Sequence, residues 1–121
     1  MIVHKELSYK IMEACFEVHN ILGPGFPESI YENAIVRELD RKGIANERQK
    51  VIAIYFKGDR VGESRLALVV EGKIILELEA VTELNSLFEA QLFSYLRATG
   101  LKLGILVNFG EKRVQYKRII L

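Results

Sequence analysis

The sequence predicts one α/β domain, and three observations carry that reading. Two helical stretches are followed by three strand-like runs, a third helix and two further runs, in the order α-α-β-β-β-α-β-β. Of the 121 residues, 50% are hydrophobic and 27% charged, the balance of a globular chain able to bury a core without disulfide or metal staples. No repeat, linker or low-complexity stretch divides it, so residues 1–121 read as a single domain.

Each element has a local reason. Leu7, Ile11, Cys15 and Val18 recur at helical spacing over 5–21, and "GPG" at 23–25 stops that helix. A second helix runs from Pro27, which suits a first turn, to Lys42, with Gly43 closing it. Three strands follow, "KVIAIYF" (50–56), "SRLALVV" (64–70) and "KIILELEAV" (73–81), punctuated by Gly58 and Gly72. Leu84, Leu87, Phe88, Leu92, Tyr95 and Leu96 mark a helix over 84–98. "LGILVNF" (103–109) and "RVQYKRIIL" (113–121) complete the set, joined by the turn "GEK".

The totals exclude some functions. A formal net charge of +1 makes no bulk demand for a polyanion or a membrane surface, so a nucleic-acid site would have to be a local patch. The single Cys15 rules out an internal disulfide and points to a reducing compartment. With no signal-peptide pattern or 18-residue apolar run, the chain is expected to be cytoplasmic with no membrane partner.

"IILELEAV" (74–81) carries the chemical question. Glu77 and Glu79 lie two positions apart in an otherwise apolar strand, which puts both carboxylates on one face. Two charges about 6–7 Å apart repel by about 2–3 kcal/mol at an effective dielectric near 20, so a cation, a shared proton or an opposing base is required. A three-residue turn at Glu71-Gly72-Lys73 sets residues 70 and 74 opposite each other. Leu66, Leu68 and Val70 then face Leu78, Leu76 and Ile74, while Ala67 faces Glu77 and Arg65 faces Glu79. A two-residue turn would mix the faces. Glu28, at helical spacing from Tyr31 and Ile35, and Gln91, within the third helix's apolar stripe one turn before Tyr95, are further polar residues in apolar company. Buried polar groups need partners, so Glu28, Gln91, Glu77 and Glu79 are candidates to converge.

Gly25-x-x-Glu28-x-x-Tyr31 resembles the signature of the GxxExxY family, a branch of the PD-(D/E)XK nuclease superfamily. "ILGPGFPESIYENA", "YFKGDRVG", "LELEAV", "EAQLFSYL" and "GILVNFG" resemble its blocks along almost the whole chain, and Gln91-x-x-x-Tyr95 resembles the QxxxY helix motif of RecB-type exonucleases. The resemblance implies a three-layer restriction-endonuclease-like fold with a mixed central sheet. It also implies Mg²⁺ or Mn²⁺, held by an Asp on one strand and the Glu of E-x-K on the next, with a helix glutamate added. Carried over, Glu28, Glu77 and Glu79 are the metal set, and Glu77, Glu79, Gln91 and Tyr95 the catalytic set. Two positions depart from the pattern: Ala67 stands where the Asp belongs, and Glu79 where the lysine belongs. Ala has no ligand oxygen to offer, so the implied function is a nuclease-superfamily protein that binds nucleic acid with impaired or lost cleavage. The rival is a non-catalytic interaction or assembly module.

Structural readings stand beside these. Glu79 is explained equally well by an ion pair with Arg65, and Glu28 by the helix dipole. Gln91 fits a backbone hydrogen bond, and Tyr95 the core. His4, His19 and Cys15 read as structural. Two basic groups, Lys112, Arg113, Lys117 and Arg118, and Arg37, Arg41, Lys42, Arg48 and Lys50, read as solvated faces unless they line one groove. The terminal "RIIL" offers an edge for a homo-oligomer.

Overall fold

The computed structural model describes residues 2–121. Its elements are α1 (Lys5–Leu22), α2 (Glu28–Arg41), β1 (Asn46–Phe56), β2 (Asp59–Val70), β3 (Ile74–Glu79), α3 (Ser86–Thr99), β4 (Leu103–Asn108) and β5 (Gln115–Ile120), the order the sequence predicts. The five strands form one mixed sheet in the order β1-β2-β3-β4-β5. Only β3 and β4 are parallel, with α3 as the crossover a parallel pair requires. Asn85 starts α3 by accepting a hydrogen bond from the Leu87 N–H on its side chain.

α1 and α2 cover one face of the sheet and α3 the other, giving three layers and two cores. Ile11, Cys15 and Val18 of α1 and Tyr31, Ile35 and Leu39 of α2 pack on Leu68, Val70, Leu76, Leu78, Ile105 and Val107. On the opposite face, Leu92 and Leu96 of α3 pack on Leu66, Val69, Ile75 and Leu106. The close fit of α3 leaves no room at Gly104, where a Cβ would stand 2.7 Å from Leu92 Cδ1. Gln91 lies outside this contact. The helix turns it to solvent, so the expected place in an apolar stripe is corrected.

The predicted β2–β3 hairpin forms. Val70 opposes Ile74, Val69 opposes Ile75 and Leu68 opposes Leu76, with Glu71 and Gly72 both at positive φ in the turn. β1 and β2 are longer than their apolar runs: residues 46–48 pair with 68–70 at one end, and 59–63 pair with 53–56 in a ribbon at the other. An edge ribbon tolerates polar side chains on both faces, so it carries no alternating signal.

One departure matters for function. Leu68 and Val70 join the α1/α2 core, but Leu66 joins the α3 core with Val69, so β2 switches faces at Ala67. Across from it in β1, Gln49 takes a left-handed conformation, φ 52, inside a strand. Arg48 pairs with Leu68 and Lys50 with Leu66, but Gln49 and Ala67 are skipped. The expectation of Leu66, Leu68 and Val70 on one apolar face is thereby corrected: both strands kink at this level, a backbone event that reverses the alternation.

A second set of bonds fixes the ends of the elements around α2 and β3. The buried Tyr31 hydroxyl donates to the Gly23 carbonyl and accepts from the Phe26 N–H at 3.2 Å, tying the α1–α2 loop to α2. Its ring stacks on Phe109, centroids 4.8 Å apart. Buried Asn108 bonds both the N–H and the carbonyl of Val81, at 3.0 and 2.9 Å, holding the exit of β3 against β4. Gly110 is required beside it, since a Cβ there would meet the Val81 carbonyl oxygen at 2.2 Å. No helix among the described residues is long and apolar enough to cross a membrane.

Candidate carboxylate site

Glu77 and Glu79 project from the β3 face that carries Ile75, toward the α3 side and the open end of the sheet. β2 has left the ladder here: its pairing with β3 ends at Leu68↔Leu76. The Ala67 N–H, released from backbone pairing with β3, donates to Glu77 Oε2 at 2.8 Å. The carboxylate replaces the missing strand partner, so one oxygen of Glu77 is committed to capping the kink. Ala67 thus does face Glu77, through its backbone.

The second expected pairing does not form. β2 turns away before Arg65 reaches Glu79, and Arg65 lies opposite Val51 in β1, exposed and without an ion pair among the described residues. Glu79 instead meets another carboxyl. Its carboxyl comes close to that of Glu28 in the first turn of α2, a contact that favours a protonated form. Burial, then the Glu28 charge and this contact, push Glu79 up to about 7. Burial also pushes Glu77 up to about 7; the Ala67 N–H opposes this, while Glu79, Glu28 and Glu32 add to it. Glu28 is raised by burial and by Glu32, one helical turn away, and lowered by the contact with Glu79. The site answers its charge density by holding protons.

Tyr95 of α3 reaches the same place and Gln91 does not bond there. The half-buried phenol faces Ser64 of β2 and lies near Glu77 and Glu79; burial, then Glu77, raises its pKa. Of the four residues proposed to converge, Glu28, Glu77 and Glu79 do so. Among the described residues, no group of three or more His, Cys, Asp and Glu side chains has the arrangement to hold a metal ion.

The structure adds Glu32, which the sequence reading passed over. It is buried on α2, accepting from Arg48 Nη2 at 2.8 Å on Oε2 and from Gln49 Nε2 at 2.7 Å on Oε1, while Arg48 also bonds Asn33. Its spacing of four from Glu28 was the available signal. This network anchors the left-handed Gln49, and with it the kink that frees the Ala67 N–H. Most of the two basic groups are similarly spent: Arg41, Lys42, Arg48, Lys50 and Lys117 pair with Glu38, Glu13, Glu32, Glu47 and Glu89, and Arg118 donates to the Val3 carbonyl.

Comparison with known proteins places this arrangement. Residues 5–119 match the family described as the PD-(D/E)XK nuclease superfamily. A solved structure described as SSO0001 shares the fold, with a TM-score of 0.60 at 21% identity over 97% of this chain. The chain spans 57% of that protein's length. No curated protein matches.

Proposed function

The chain belongs to the PD-(D/E)XK nuclease superfamily, and we propose that it is a GxxExxY-type member that binds nucleic acid and whose phosphodiester cleavage is impaired or lost. Superfamily membership supports the nucleic-acid partner. The bond from the Ala67 N–H to Glu77 carries the loss of cleavage: the position that gives the superfamily its metal-binding Asp here supplies a donor, and that donor occupies the neighbouring ligand.

The residues present are a poor match for the superfamily's divalent metal. Glu28, Glu77 and Glu79 are the oxygen donors for Mg²⁺ or Mn²⁺, a chemistry that asks for ionised carboxylates. Here burial raises both Glu77 and Glu79 to about 7, so a cation would have to displace protons to bind, and Ala67 adds no ligand. In this reading the set does not fit a superfamily-type metal, and no hydrolytic step is assigned to Glu77, Glu79, Gln91 or Tyr95. Tyr31, the last residue of the GxxExxY pattern, is explained by its bonds to Gly23 and Phe26 and its stacking on Phe109.

The experiment compares the parent chain with an Ala67→Asp plus Glu79→Lys variant on single- and double-stranded DNA and RNA, with Mg²⁺ or Mn²⁺. The expected result is salt-dependent binding by both and cleavage by the variant only. Cleavage by the parent, abolished in Glu77→Gln, would overturn the loss of activity. No binding by either would favour the assembly-module reading.

A further inference from the structure

The outward face of α1 is the least explained surface of the molecule. Tyr9 is 68% exposed and Phe16 43%, one on each side of the helix midpoint. Phe16 packs edge-on against Tyr116 of β5, centroids 6.2 Å apart, so the aromatic strip continues from the helix onto the last strand of the sheet. A groove of about 730 Å³ runs along this junction. The neighbouring ionic groups are Lys5, Glu6 and Lys10 on the N-terminal half, and Glu13 and Glu17 on the C-terminal half. Glu13 is neutralised by Lys42, whereas Lys10 and Glu17 have no ion-pair partner among the described residues.

We infer that this face is a self-association surface on which α1 of a second copy lies antiparallel across a two-fold axis. The argument is complementarity. Lys10 and Glu17 are seven residues apart and so share one flank of the helix. In an antiparallel pair, equal flanks of the two helices face each other, so a two-fold near residue 13 sets Lys10 of one copy beside Glu17 of the other, twice. The same operation sets Tyr9 against Phe16, covering both exposed rings. The Lys10–Glu17 pairing is self-complementary only when the helices run antiparallel, the geometry an isologous dimer imposes. Nucleic acid is disfavoured as the occupant, because the acidic half would meet phosphate.

Sedimentation equilibrium of the full chain, with circular dichroism as the folding control, tests this. The parent is expected to approach twice its 13.8 kDa mass as concentration rises. Lys10→Glu alone and Glu17→Lys alone place like charges in both contacts and should each weaken association by about tenfold or more. An equimolar mixture of the two variants restores opposite charges at both contacts and should associate as the parent does. A parent that stays monomeric at every concentration overturns the inference. So does a dimer indifferent to both reversals, which would indicate another surface such as the free edge of β5, or a mixture that fails to recover.

Discussion

β3 is two strands in one. Its first half, Ile74 to Leu76, is paired on both sides, by β2 and by β4, and is fully buried. Its second half, Glu77 to Glu79, keeps only β4, and the side chain of Glu77 takes the place of β2. Three residues suffice to pass from an apolar sheet interior to a proton-holding carboxylate cluster. The difference lies less in side-chain composition than in backbone partnership. Where the ladder is complete, apolar side chains fill both faces. Where it opens, a carboxylate finds both a donor to satisfy and an environment dry enough to stay protonated.

The largest expected effect strikes the first half. Leu76→Ala removes a fully buried side chain and should cost about 4 kcal/mol in urea unfolding, with little change in the pH dependence of stability. The second half should behave in the opposite way. The folded pKa of Glu77 is raised, so between the ordinary carboxylate value and about 7 the folded protein binds more protons than the unfolded chain. Stability from this group is therefore complete at low pH and lost as pH rises through about 7, by about 3 kcal/mol between pH 5 and pH 8. Glu77→Gln, which keeps an oxygen for the Ala67 N–H, should flatten that slope and be the more stable protein at pH 8.

Arg48→Ala tests what holds the boundary between the halves. It leaves the buried Glu32 carboxylate with Gln49 alone, and should cost about 2 kcal/mol and loosen the kink, seen as faster amide exchange at Ala67. Asn85→Ala lies outside both halves and should lose only the α3 cap, about 1 kcal/mol, with no effect on the Glu77 titration.

This division also explains what could be read in the sequence. The helices, the succession of elements along the chain and the 70↔74 register follow from periodicity and from the turn at Glu71-Gly72-Lys73, because they depend on side-chain pattern. The pairing of Arg65 with Glu79 was an extrapolation of that register past Ala67, and it fails where the backbone kinks. Gln49 is an ordinary residue in an extraordinary conformation, and nothing in its neighbours announces a positive φ. The convergence of Glu28, Glu77 and Glu79 was legible from the motif. Their raised pKa values were not, since these depend first on a burial that only the three-dimensional arrangement creates.

The carboxyl carbons of Glu77 and Glu79, followed by NMR against pH with and without Mg²⁺, test the central claim most directly. Both should titrate near 7 and keep their curves unchanged when Mg²⁺ is added. Titration in the ordinary range near 4.5, or a large Mg²⁺-induced fall in either midpoint, would contradict a cluster that holds protons in place of a metal.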